Sequence, residues 1–136
     1  MQDSNIKADK ETFLAPCPKT ANCVSSEHQD LNRRMMPVSF DGATTEEAME
    51  YLVDILSGLP KTTIEKQEHH YIHAVAKTTV MEFYHDVEFY LDEAAKQVHF
   101  RSASRIGLTD FGTNKRRLQA IIARFLRKMM ANKQGD

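Results

Sequence analysis

Cysteine is scarce in this chain. Cys17 and Cys23 are the only two among 136 residues, too few for the disulfide framework that staples small secreted domains. No apolar run approaches the roughly 20 residues a helix needs to cross a bilayer, and the first fourteen residues are mostly polar, so neither a membrane span nor a signal peptide is read. Net charge is nearly absent too. A formal value of −1 gives no global field to steer the protein to nucleic acid or membrane. Several chemical signatures are missing. Gly107 and Gly112 have P-loop spacing, but Thr113 and Asn114 follow where Lys and Ser or Thr are required. No C-x-x-C redox pair and no G-x-S-x-G nucleophile elbow occurs. With no leader or span read, the cytosol is the expected setting of the chain as it stands.

What is present is enough for one core. Hydrophobic residues make up 41% and charged residues 27%, a balance that argues for one folded domain. Residues 1–14 read as a flexible tail and residues 15–136 as a single domain. Ala15 to Ser26 reads as an irregular loop, and Met36 to Phe40 as a short edge strand. Thr44 and Glu47 form a capping box before a helix over Thr45 to Ser57, with Ala48, Met49, Leu52, Val53 and Leu56 on one face. Gly58 and Pro60 end it. Strands follow at Lys61 to Gln67 and Tyr71 to Thr79, then around Val87, Phe89 and Leu91, then at Val98 and Phe100 after a turn at Glu93 to Lys96. A last helix runs from Asn114 to Ala131, with Leu118, Ile121, Ile122, Phe125, Leu126 and Met129 as its stripe. The expected architecture is α+β: a four- or five-stranded antiparallel sheet with two helices on one face.

Charge is unevenly placed. Arg101 to Lys128 carries a net +7, leaving −8 elsewhere, and Met81 to Ala95 holds five acids and no Lys or Arg. The densest polar stretch is Arg101 to Arg117, RSASRIGLTDFGTNKRR. It leaves a strand, passes a loop and enters a basic helix. Arg101, Arg105 and Arg117 offer guanidinium forks. Ser102, Ser104 and Asn114 offer short polar groups, and Thr113 or Asn114 is placed to cap the helix, whose first N–H groups favour an anion. These residues describe a pocket for an anionic small molecule. The competing reading is a structural ion network, with Asp110 taking Arg105 or Arg117, and Glu88 taking Arg101 across the sheet.

Other residues leave alternatives open. Cys17 and Cys23 are compatible with a small-loop disulfide, a redox thiol pair, two zinc ligands beside His28, or two small half-buried residues. His69 and His73, four apart on a strand, stand about 13 Å from one another, too far for one ion. They read, with His70, as part of a solvated face. His85, beside Asp86 and Glu88, is placed for general-base work, but no nucleophile motif accompanies it. The basic side of the last helix (Arg116, Arg117, Arg124, Arg127, Lys128) reads as a solvated face or a partner surface. With no aromatic residue among those charges, sequence-specific nucleic-acid binding is not expected. No metal and no cofactor is expected.

Three segments together resemble a known family: CPKTANCVSS at Cys17 to Ser26, HDVEF at His85 to Phe89, and RSASRIGLTDFGTNKRR at Arg101 to Arg117. In order and spacing the chain resembles the uncharacterised family of domain of unknown function 1499, from about Ala15 to the final helix. Two positions depart from its pattern: Ala21, where proline usually precedes Asn22, and His85, where an acid usually precedes Asp86. The resemblance implies neither an activity nor a cofactor. It implies that Cys17, Asn22, Cys23, Ser25, Ser26, Asp86, Glu88, Arg101, Ser102, Ser104, Arg105, Gly107, Asp110, Gly112, Asn114 and Arg117 belong together, with the cysteine and arginine loops meeting at one polar site. It also implies that some relatives carry a leader or anchor and lie outside the cytosol. Three functional readings follow. The first is a binding module for an anionic group. The second is a thiol-dependent or acid/base enzyme using Cys17, Cys23, Asp86 or Glu88. The third is an interaction protein using the basic helix.

Overall fold

A computed structural model describes residues 13–78, 83–107 and 110–134. The elements are β1 (Cys23–Ser25), β2 (Val38–Ser39), α1 (Thr45–Ser57), β3 (Thr62–Gln67), β4 (Tyr71–Lys77), β5 (Tyr84–Asp92), β6 (Gln97–Ser104) and α2 (Thr113–Gln134). The strands form one antiparallel sheet in the order β1-β6-β5-β4-β3, with β2 also pairing to β6.

Alternation along the strands builds the core. Ile72 and Ala74 of β4, Val87, Phe89 and Leu91 of β5, and Val98 and Phe100 of β6 are buried on one face. Against them pack Ala48, Met49, Leu52, Ile55 and Leu56 of α1, and Leu118, Ile121, Phe125 and Met129 of α2. Each large buried side chain contributes about 1.5–3 kcal/mol by leaving water. The capping box is present: Glu47 N–H donates to Thr44 Oγ1 at 3.0 Å, and Thr44 N–H to Glu47 Oε1 at 2.9 Å.

The fold is the α+β class expected, with more strands than four or five. The additional pairing comes from Ala15–Ser26, expected to be irregular: Cys23, Val24 and Ser25 pair with Ala103, Ser102 and Arg101 on the edge of β6. Three residues are too few to show alternation, and only the waiting edge makes them a strand. Two core assignments also shift. Ile55 is buried, whereas Leu126 is 42% exposed, because each helix turns its stripe toward the sheet and its partner helix. Residues 1–12 of the expected tail, and Thr79 at the expected end of β4, lie outside the described residues. Phe13 and Leu14 are docked: their N–H groups donate to Glu27, and the Phe13 ring stacks on Tyr90 at 4.4 Å.

This topology places the β3–β4 and β5–β6 turns at one end of the sheet, and the β6–α2 junction at the other.

Candidate functional site

The Arg101–Arg117 stretch does not make one pocket. Successive strand residues point to opposite faces, so the stretch is divided between the two sides of the sheet. Arg101 and Arg105 lie on the face away from the helices. Ser102, Ser104, Asp110, Asn114 and Arg117 lie at the junction of β6 and α2. Leu108 and Thr109 of the stretch are outside the described residues.

On the open face, register sets the partners. Glu88 stands opposite Arg101 and His73 opposite Glu88. Arg101 Nε donates to Glu88 Oε1 at 2.7 Å, and Tyr71 donates its hydroxyl to Glu88 Oε2. Burial and then this bond to Glu88 push the Tyr71 hydroxyl well above its usual range. Arg105 grips Asp86 with both fork nitrogens at 3.0 Å, and His73 Nε2 is 2.7 Å from Asp86 Oδ1. Burial raises the Asp86 carboxyl, but hydrogen bonds from Arg105 and His73 outweigh it and hold the group below its ordinary value. Glu88 therefore takes Arg101, as one expectation had it. Asp110 takes neither Arg105 nor Arg117. Both acids proposed for acid/base work, Asp86 and Glu88, are engaged in these pairs.

The helix side centres on Asn114, a fully buried amide. Its Oδ1 accepts from Ser102 Oγ at 2.6 Å and from Arg117 Nη1 at 2.9 Å. Its Nδ2 lies 2.6 Å from Asp110 Oδ2, 3.0 Å from Ser104 Oγ and 3.2 Å from the Asn22 carbonyl. Asp110, rather than Thr113 or Asn114, holds the start of α2 by accepting from the N–H groups of Gly112 and Asn114. Gly112 adopts φ +81 between them, where an L side chain is strained. His85 completes the cluster, with Nδ1 2.9 Å from Ser104 Oγ and 3.3 Å from Asn114 Oδ1. Its Nε2 is buried with no hydrogen-bond partner among the described residues. Burial, then the charge of Arg117, lowers the His85 pKa and keeps the ring neutral.

Arg117 differs from the other two arginines. Nη1 donates to Ser102 Oγ at 3.2 Å and to Asn114, and among the described residues no carboxylate forms an ion pair with it. Burial, only partly offset by the Asp110 charge, lowers its pKa.

The cysteine loop reaches both sides. Cys17 and Cys23 form a disulfide, with Cα atoms 5.7 Å apart, so neither supplies a thiolate to zinc with His28 or to nucleophilic attack. Asn22 Nδ2 donates to the carbonyls of Ser104 and Gly107, so the cysteine and arginine loops do meet. Ser25 Oγ accepts from Glu27 N–H, and Ser26 Oγ from Phe100 N–H. Both serines are buried braces.

A family model described as Protein of unknown function (DUF1499) matches residues 13–125. The chain belongs to this family. No curated protein and no solved structure matches. The DUF1499 region spans β1 to most of α2, so both polar networks lie inside it. Within the DUF1499 region, His85 faces the helices, while Asp86 faces away. Alternation therefore keeps these two neighbours from acting on one group together. His85 is the member of the helix-side cluster that the sequence reading left out of its ligand set. The available signal was its parity with Val87, Phe89 and Leu91.

A separate cleft of about 400 Å³ lies between the C-terminal halves of α1 and α2, lined in part by Asp54, Arg124, Arg127 and Lys128. Lys128 pairs with Asp54 at 2.6 Å. No described helix is long and apolar enough to cross a membrane.

Proposed function

We propose that the protein is a small binding module for an anionic group, received at the β6–α2 junction by Arg117 and oriented by Ser102, Ser104 and Asn114. The observation that supports this is the half-buried guanidinium of Arg117, which lacks an ion-pair partner among the described residues. A cation partly withdrawn from water with no counter-charge is disfavoured, and an incoming anion offsets that cost. Arg101 and Arg105 act as braces of the open face, since Glu88 and Asp86 already fill their forks. The disulfide supports an oxidising compartment in place of the cytosol expected from the sequence.

Thermal melting of the full chain against inorganic phosphate tests the reading. Phosphate raises Tm with concentration, by roughly 4 °C per kcal/mol of binding free energy at this size. Arg117→Gln and Arg117→Lys lose that increment, the lysine variant because it keeps the charge but not the fork. Arg105→Ala, on the other face, keeps it. Equal phosphate shifts in the native and both Arg117 variants, or no shift in the native chain, overturn the proposal.

A further inference from the structure

The end of the sheet opposite the β6–α2 junction carries a separate group of ligating side chains. His69 and His70 occupy the two central positions of the β3–β4 turn, which is closed by Glu68 N–H to Tyr71 O at 2.7 Å. Glu93 opens the adjacent β5–β6 turn. Both hairpin tips lie at the same end because alternate turns of an antiparallel meander do so, and the carbonyl of His70 accepts from Leu91 N–H at 2.8 Å. His69 and Glu93 are exposed and His70 is half-buried, and one ligand atom from each lies within 4.8 Å of the others.

We propose that His69, His70 and Glu93 form a site for a divalent transition metal of the zinc class. Two imidazoles and a carboxylate make a borderline nitrogen–oxygen set, which suits Zn²⁺ and its late first-row neighbours and not the all-oxygen shells of Ca²⁺ or Mg²⁺. Bond lengths near 2.0–2.2 Å in a tetrahedron place ligand atoms about 3.4 Å apart. His70 Nε2 and Glu93 Oε1 already stand at 3.3 Å. The remaining gap closes by rotation of exposed side chains. His70 is held in place: its ring stacks near Tyr90 at 6.1 Å, and Tyr90 in turn stacks on Phe13. Three protein ligands leave a fourth position for water or a ligand from outside, the pattern of exchangeable rather than structural sites. The pair of histidines that is too far apart for one ion, His69 and His73, is not involved, since His73 is committed to Asp86. The disulfide removes Cys17 and Cys23 from competition for the ion.

Isothermal titration of the tag-free full chain with zinc chloride tests this, with circular dichroism confirming that each variant is folded. The native chain binds one equivalent of Zn²⁺ and gives no binding heat with magnesium chloride. His70→Ala and Glu93→Gln each weaken zinc binding by about 10-fold or more, the range seen even for residues that merely support metal ligands. His73→Ala leaves the affinity within about 2-fold of native. No zinc binding by the native chain, or unchanged affinity in both His70→Ala and Glu93→Gln, overturns the site. Neither outcome bears on phosphate binding at Arg117, at the other end of the sheet.

Discussion

Arg101 and Arg105 carry the same charge, four residues apart, on the same side of the sheet, yet their removal has different consequences. The side chains of Arg101 and Glu88 are 12% and 10% exposed, whereas Arg105 is 48% exposed against Asp86. Removing one partner of a buried pair strands the other charge, at a cost of about 3 kcal/mol or more. A pair screened by water is worth under about 1 kcal/mol. Arg101→Ala should therefore lower the urea midpoint far more than Arg105→Ala. Equal losses in chemical denaturation would show that the Glu88 pair is not the brace described here. The difference in burial between the two pairs is not legible from the stretch itself. Glu88 is the partner expected for Arg101 across the sheet, whereas Arg105, expected to meet Asp110, is set beside Asp86 by the register.

Strand β5 separates two titrations by parity. His85 points to the helices and Asp86 to the open face. The folded pKa of His85 lies below its ordinary 6.5, so the unfolded chain takes up the proton first, and stability falls as pH drops through 6.5 until the folded ring titrates. The folded pKa of Asp86 also lies below its ordinary 3.8, so its contribution is present above 3.8 and is lost as pH falls through the folded value. The denaturation midpoint should fall in two steps on acidification. His85→Gln should flatten the step below pH 6.5, and Asp86→Asn the step below 3.8. A midpoint profile unchanged by either substitution would refute these assignments. Element boundaries themselves were readable where local chemistry repeats: α1 matches its capping box and its Gly58 stop, and α2 starts and ends within a few residues of its periodic stripe. Strand β1 was not readable, because its only reason to be extended is the edge of β6, about 80 residues away in sequence.

At the scale of the whole molecule, the sheet is assembled from both ends of the chain. The N-terminal segment, through β1, closes the edge of β6, and the Cys17–Cys23 disulfide restrains that segment with a sequence separation of 6. Closing so short a loop stabilises by about 2 kcal/mol in the chain-entropy account. Melting with and without dithiothreitol should show a Tm loss of that size, matched without reductant by a Cys17→Ala/Cys23→Ala double variant. An unchanged Tm on full reduction would mean that β1 is held by its ladder alone.

The sequence by itself determined the fold class, both helices, the inward-facing rows of β4, β5 and β6, and the family, because each is written in a local period or a contiguous motif. Only the tertiary structure decided which charges meet. Antiparallel register sends neighbouring residues of one motif to opposite faces, pairs Arg101 with Glu88 and Arg105 with Asp86, and leaves Arg117 among neutral partners. It also brings His69 and His70 beside Glu93 from a different hairpin. Pairing across strands depends on register and on which turns share an end of the sheet, and neither is stated by any single segment of the chain.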